Sequence, residues 1–182
     1  LYEVWQVRIQ NHSECDRHLK AFPFVEPQCN WSADDDNRNL QFNQYITRTQ
    51  LTEGGIDIGS NVNMPEDPKN FTNKDQKRHT FFALAGVEPV NFDADLATFL
   101  GPYGTGAGPR AVIEGQCRGS TAAGDMPAAA FEIDLVLKPG EEKTFCVIFG
   151  IGQAAVEGAK AVRLLENATH ALQEVRGNWH RK

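Results

Sequence analysis

The chain has 182 residues, 41% of them hydrophobic, and a formal net charge of -6. That length forms one domain able to bury a core without metal or disulfide support. The negative balance argues against a nucleic-acid surface, and no apolar run approaches the roughly 20 residues that a membrane helix needs.

Residues 1–11 alternate, with Trp5, Val7 and Ile9 on one side and Val4, Gln6 and Arg8 on the other, which predicts a β-strand. The segment Asn-His-Ser-Glu-Cys-Asp (11–16) is a turn rich in side chains that bond their own backbone. His18 to Glu26 reads as the next strand, with Phe22, Phe24 and Val25 as core candidates. Pro23 and Pro27 push it toward an edge or a bulge. Asn30 to Asn39 is a polar, acidic loop, and Leu40 to Leu51 resumes strand alternation with Phe42 and Ile46 on one face.

Gly54-Gly55 makes a turn, and Ile56 and Ile58 start a short returning strand. Gly59 to Arg78 is a long polar excursion, a length that is usually functional or disordered inside a compact domain. Thr80 to Ala85 is an apolar strand closed by Gly86, after which Asp93 and Asp95 fall in a turn. Gly101 to Arg110 has neither a Gly-Lys-Ser/Thr ending nor a GxGxxG between strand and helix, so it reads as a surface loop. Ala111 to Arg118 and Ala129 to Leu137 are predicted strands. In the second, Phe131, Ile133, Leu135 and Leu137 alternate against Glu132 and Asp134. Lys138-Pro139-Gly140 is a tight turn, and Lys143 to Gly150 is expected to return as the other arm of that hairpin. The hairpins together predict a mainly β fold, an antiparallel β-sandwich.

The period changes at Ala154, where an alanine-rich helix begins. A second is expected to start near Asn167, with Leu165, Ala168, Leu172, Val175 and Trp179 in one apolar stripe. That stripe packs either on this domain's own sheet or on a following domain. The four cysteines form no CxxC pair and read as free thiols. The five histidines show no metal-ligand spacing, and no GxSxG element is present. The acidic run Asp34 to Asp36 reads as a solvated face. With Asp93 and Asp95 given to capping, no acid pair is nominated for glycosidic chemistry. Leu1 falls inside a strand pattern and Lys182 just past a helix, so both ends look cut.

Five stretches carry a resemblance that the physics alone does not supply. They are IQNHSECDRHLKAFPFVE (9–26), DNRNLQFNQ (36–44), HTFFALAGVEPVNFDADLATFLGPY (79–103), AVIEGQCRGS (111–120) and LKPGEEKTFCVIFGIG (137–152). In this order they resemble the N-terminal β-sandwich domain of the disaccharide phosphorylases of glycoside hydrolase family 94, the cellobiose and chitobiose type. The resemblance implies a supersandwich at 1–152 and helices at 153–182 that lead to an (α/α)6 catalytic barrel beyond the chain. It implies a cytoplasmic, dimeric parent enzyme that cleaves a β-linked disaccharide by inversion. Inorganic phosphate attacks directly, without cofactor or metal, and the general-acid Asp and phosphate-binding groups sit on the barrel. By that account the chain alone has no catalytic residue and no activity. Asn39, Gln41 and Asn43 match the family's element at the active-site mouth of the partner subunit, as hydrogen-bonding groups for sugar hydroxyls. Phe42 stands where cellobiose phosphorylases often have a basic residue. That departure points to cellobionic acid or another β-linked disaccharide, and Lys74, Lys77 and Arg78 are candidates to meet an anionic sugar or phosphate. The rival from another class is a stand-alone carbohydrate-binding module, for which Trp31 is the one obvious aromatic platform.

Overall fold

A computed structural model describes residues 1–27, 40–60 and 79–166, together with Gln173 and Gly177. Two sheets face each other. The first has the order β1-β10-β6-β5-β4, and all its pairings are antiparallel. Its strands are β1 (Tyr2–Gln10), β4 (Thr47–Thr52), β5 (Gly55–Ser60), β6 (His79–Ala85) and β10 (Glu142–Ile151). The second has the order β2-β9-β7-β8, from β2 (Arg17–Ala21), β7 (Asn91–Asp95), β8 (Ser120–Thr121) and β9 (Pro127–Leu137). A short β3 (Phe24–Val25) also pairs with β9. The expected antiparallel sandwich is therefore what the chain forms, with β7 and β8 its one parallel pairing among the described residues.

The period-two alternation decides which side chains fill the space between the sheets. Ile56, Ile58, Phe82, Leu84, Phe131, Ile133, Leu135, Phe145 and Val147 interdigitate there. Across the gap the rings of Phe82 and Phe131 stack at 5.7 Å. The outer face of the first sheet is also dry. Phe81, Ala83, Ala85, Cys146 and Ile148 pack under a π-helical turn (Ala154–Gly158) and the helix that continues it (Ala159–Leu164), with Leu165 closing the contact. Leu165, the first residue of the predicted stripe, thus lies on the domain's own sheet. The rest of that stripe is outside the described residues. Strands buried on both faces need continuous apolar runs, which is why TFFALA and FCVIFG lack alternation.

Five expectations are corrected. Residues Leu40–Ile46 form a helix, α1, that runs straight into β4, rather than the start of a strand. Phe42 and Ile46 are four apart, a spacing that serves one helix face as well as one strand face. Arg110–Glu114 is helical, not extended. Pro109 precedes it at φ -58, and Gly115 ends it in the left-handed region at φ 69. The strand expected from His18 is split at Phe22-Pro23, where the Pro23 carbonyl still accepts from Phe131 N at 3.1 Å. Asp93 and Asp95 lie in β7 rather than in a turn, although Asp95 does cap the next helix (Leu96–Leu100) by accepting from Thr98 N.

The fifth correction concerns topology. The 138–140 turn forms, with Glu141 N bonded to Lys138 O at 2.9 Å and Gly140 at φ 76. Its two arms nevertheless belong to different sheets. Both edges of β10 are occupied by β1 and β6, so β9 pairs with β2 and β7 instead. Buried Asn11 fastens this crossing. Its Nδ2 donates to Leu137 O and Cys15 O, while its backbone bonds Gly140 and Glu141. One amide holds the first turn and the sheet-to-sheet turn together.

Candidate functional site

Two polar constellations stand out, one on the outer face of each sheet. On the first sheet, Arg48 opposes Gly59 and Gln50 opposes Asp57 across β4 and β5, and Gly59 opposes His79 across β5 and β6. Alternation puts all five on the outer face. Among the described residues, Arg48, Gln50, Asp57, Gly59 and His79 line a cavity of about 410 Å³. A Cβ at Gly59 would stand 2.7 Å from His79 Nδ1, so the ring lies directly over bare backbone.

Buried Asp57 ties this groove to the C-terminal helical turn. Its Oδ2 is 2.7 Å from His79 Nδ1, and its Oδ1 accepts from Ala154 N at 2.7 Å. The carboxylate therefore orients the imidazole and satisfies the first amide of the π-helical turn at once. α1 enters the same corner, since Thr47 pairs with Ser60 and Ser60 closes β5.

On the second sheet, buried Asp93 and Glu132 point outward from β7 and β9. Asp93 Oδ1 accepts from Arg118 N, Ser120 N and Ser120 Oγ, the last at 2.7 Å. Glu132 Oε2 accepts from Cys117 N at 2.8 Å, and its Oε1 is paired with Lys20, which also reaches Asp134 at 3.3 Å. Lys20 is held above its ordinary pKa by its bond to Glu132 first, with burial opposing and Asp134 adding. A shallower cavity of about 290 Å³ lies beside Lys20, Asn91, Gln116 and Glu132. These carboxylates read as a glycosidase pair only until their partners are counted. Apart from the Lys20–Glu132 pair, these bonds pin residues 117–120 to the sheet. Sequence reasoning missed both: Asp93 looked like a turn residue and Glu132 like the wet side of an alternating strand. The one available signal was that each sits in a strand beside an apolar neighbour on both sides.

Cys117 is buried between them. Desolvation, and then the negative charges of Asp93 and Glu132, push its thiol from 9.0 up to about 12, and burial also raises Cys146. Unfolding returns these thiols to their ordinary range, so above about pH 9 the unfolded chain loses protons that the folded chain keeps. Stability is then expected to fall with rising pH, by up to roughly 1.4 kcal/mol per pH unit for each such thiol until its folded pKa is reached. Urea midpoints between neutral and alkaline pH check this, and Cys117→Ala should flatten part of the slope. In native alkylation, exposed Cys15 should be modified while Cys117 and Cys146 stay protected until denaturant is added. Rapid native labelling of Cys117 would contradict the burial.

The sequence profile of the glycosyl hydrolase 94 supersandwich domain matches residues 1–170. The chain belongs to this family. Its supersandwich is 31% identical over 163 residues to a solabiose phosphorylase of Paenibacillus borealis, covering 90% of this chain and 19% of that protein. It is 28% identical over 178 residues to an N,N'-diacetylchitobiose phosphorylase of Vibrio furnissii, covering 97% of this chain and 21% of that one. A cellobionic acid phosphorylase of Neurospora crassa is 26% identical over 149 residues, 81% of this chain and 17% of its own length. The chain thus spans about a fifth of the length of these relatives.

Of the supersandwich residues expected to meet sugar, Gln41 is exposed on α1 and Asn43 lies on the same helix. Asn39, Trp31, Lys74, Lys77 and Arg78 are outside the described residues. Among the described residues no cluster of His, Cys, Asp and Glu forms a metal site, and no helix is long and apolar enough to cross a membrane.

Proposed function

We propose that this chain is the N-terminal structural and site-shaping domain of an inverting β-disaccharide phosphorylase. The observation that carries the reading is the family match over residues 1–170 combined with relatives about five times as long, all named phosphorylases. In this reading residues 1–152 form the scaffold, and residues 153–182 form the helical connection to a catalytic barrel. The barrel supplies the general acid and the phosphate-binding groups. The reaction joins inorganic phosphate to the anomeric carbon as the barrel's acid protonates the bridging oxygen, giving a sugar 1-phosphate of inverted configuration. The parent works as a cytoplasmic homodimer in which Asn39, Gln41 and Asn43 border the acceptor sugar of the partner subunit. The approach of α1 to the groove at Arg48 and His79 supports a sugar-facing role for that corner.

The test begins with the encoding gene read past Lys182, where several hundred residues of helical barrel are expected. The protein so encoded should release sugar 1-phosphate from a β-linked disaccharide and phosphate, while the 182-residue chain alone releases none. Phosphorolysis by the 182-residue chain unaided would overturn the reading. Tight binding of cello-oligosaccharides by the isolated chain, strengthening with oligosaccharide length, would favour a stand-alone binding module instead.

A further inference from the structure

We propose that the glycine-rich loop 101–109 and the side chains beside it form the seat for the part of the parent polypeptide that lies downstream of this domain. The identity of that occupant rests on the phosphorylase reading. The seat itself rests on a strained tyrosine and a surface almost free of charge.

Pro102 and Tyr103 are the central residues of a turn closed by the bond from Gly104 N to Gly101 O at 3.0 Å. Tyr103 sits there at φ 59, the one non-glycine residue with positive φ among the described residues. That conformation favours Gly or Asn, because a Cβ in the left-handed region crowds the following carbonyl oxygen. Such strain persists at positions where the side chain serves a function. Inside the domain the Tyr103 ring serves none, since it is 104% exposed. An aromatic ring held out by its own backbone suits the anchoring role that Tyr fills in protein interfaces.

The ring stands in an apolar surface. Ile113 is 76% exposed, and Val112 and Phe24 are also open to solvent. A Cβ on Gly106 would lie 3.8 Å from Phe24 Cζ and one on Gly108 3.7 Å from Ile113 Cδ1, so the loop bridges these two side chains. Phe24 rests on Phe99 with ring centroids 4.9 Å apart, and Phe99 packs with Ala111, Cys117 and Ala130. The surface therefore has a firm base. Residues 96–113 include one charged side chain, Arg110, in a chain that is 23% charged. Half-buried Arg110 donates to Thr98 O at 2.8 Å. An apolar patch depleted of charge is the signature of an interface core.

Topology points to the occupant. β9 runs toward the 138–140 turn and β10 runs away from it, so the start of β9 and the end of β10 share the opposite end of the sandwich. Phe24 pairs with Ala130 near the start of β9, and the helix Leu96–Leu100 begins where Asp95 pairs with Pro127. The chain leaves the sheets at that same end, passing from Ile151 toward the π-helical turn. The relatives are about five times as long as this chain, so in the parent a larger module follows from the end that carries the patch. A tethered module meets the patch at an effective concentration in about the millimolar range. A second copy must instead come from dilute solution against a like charge of -6.

The experiment compares hydrogen exchange in the 182-residue chain and in the longer protein encoded past Lys182. Peptides covering 101–114 are expected to exchange roughly tenfold more slowly in the longer protein at every protein concentration. The 138–140 turn at the far end should exchange equally in both. Ile113→Asp changes an exposed side chain, so the short chain should melt within about 2 °C of wild type, while the longer protein loses the added protection. Tyr103→Gly relieves the left-handed strain, so the melting temperature of the short chain should hold or rise, while the longer protein again loses protection. A fall of several degrees for Tyr103→Gly in the short chain would give the ring a role in the domain's own fold and overturn the proposal. Equal exchange of 101–114 in the two wild-type proteins overturns it as well. So does protection that grows with protein concentration, which assigns the patch to a second copy. In each of these cases the phosphorylase reading stands, because release of sugar 1-phosphate decides it; a gene that stops at Lys182 would sink both.

Discussion

Replacing Asp93 with alanine is expected to destabilise the chain by about 2–4 kcal/mol, since donors left without an acceptor cost about 1–3 kcal/mol each, less what is regained by removing a buried carboxylate. Three donors converge on its Oδ1, two of them backbone amides of Arg118 and Ser120. Removing the carboxylate leaves these groups without a partner in a region where Asp93 itself is fully buried. The loop would then lose its attachment to β7, and with it the fit of Cys117 beside Phe99, Ala111 and Ala130. For a domain of this size each kcal/mol moves the melting temperature by roughly 2–4 °C. Asp93→Asn keeps one carbonyl acceptor and should lose clearly less. Urea unfolding of the two variants beside the wild type checks the ordering. An alanine variant within about 0.5 kcal/mol of wild type, the range of neutral surface changes, would show that the network contributes little.

The second large effect is expected at Gly54. A Cβ there would stand 1.8 Å from Ala154 O and 2.5 Å from Ala159 N, and both obstacles are backbone. The contact is reciprocal, since a Cβ at Gly158 would stand 2.3 Å from Gly54 O. Neither side has a flexible side chain to yield. Gly54→Ala must therefore separate the β4–β5 turn from the π-helical turn, at the upper end of the ~1–3 kcal/mol of overpacking or beyond it. Ala154, Ala161 and Leu165 would lose their seat over Phe81, Ala83 and Ile148. Hydrogen exchange reads this directly: amides 154–165 should exchange much faster in the variant, while β9 stays protected. Unchanged exchange in the helical segment would mean that the close approach is not structural.

The parts of the fold legible in sequence were those where one physical rule acted alone. β1, β5 and β9 follow from apolar alternation, β6 from its continuous apolar run, and the 138–140 turn from Pro-Gly chemistry. Misreadings arose where two rules compete. Residues Leu40–Ile46 satisfy the spacing of a strand and of a helix, and the tie is broken by the tertiary position of Ile46, buried at the head of β4. The Ala111 to Glu114 segment is apolar enough to predict extended chain, but Pro109 and Gly115 bracket one short helical turn. The β9–β10 pairing failed for a different reason. A tight turn fixes the direction of two arms and leaves open which sheet each arm joins. At the candidate site, sequence pointed to Gln41 and Asn43 within α1 and Asn39 just before it, while Asp57 and His79 are far apart in the chain and become neighbours only through strand register.

β1 and β10 lie side by side, from Tyr2 against Gly150 to Gln10 against Glu142. A ribosome must therefore pass Glu142 before β1 has β10 to zip against. Until then the edge that β10 will cover waits exposed, with Val7 and Ile9 open to wrong partners. Closure over so long a loop is slow. The domain's vulnerable moment thus comes during its birth, where a holding chaperone has the most to offer.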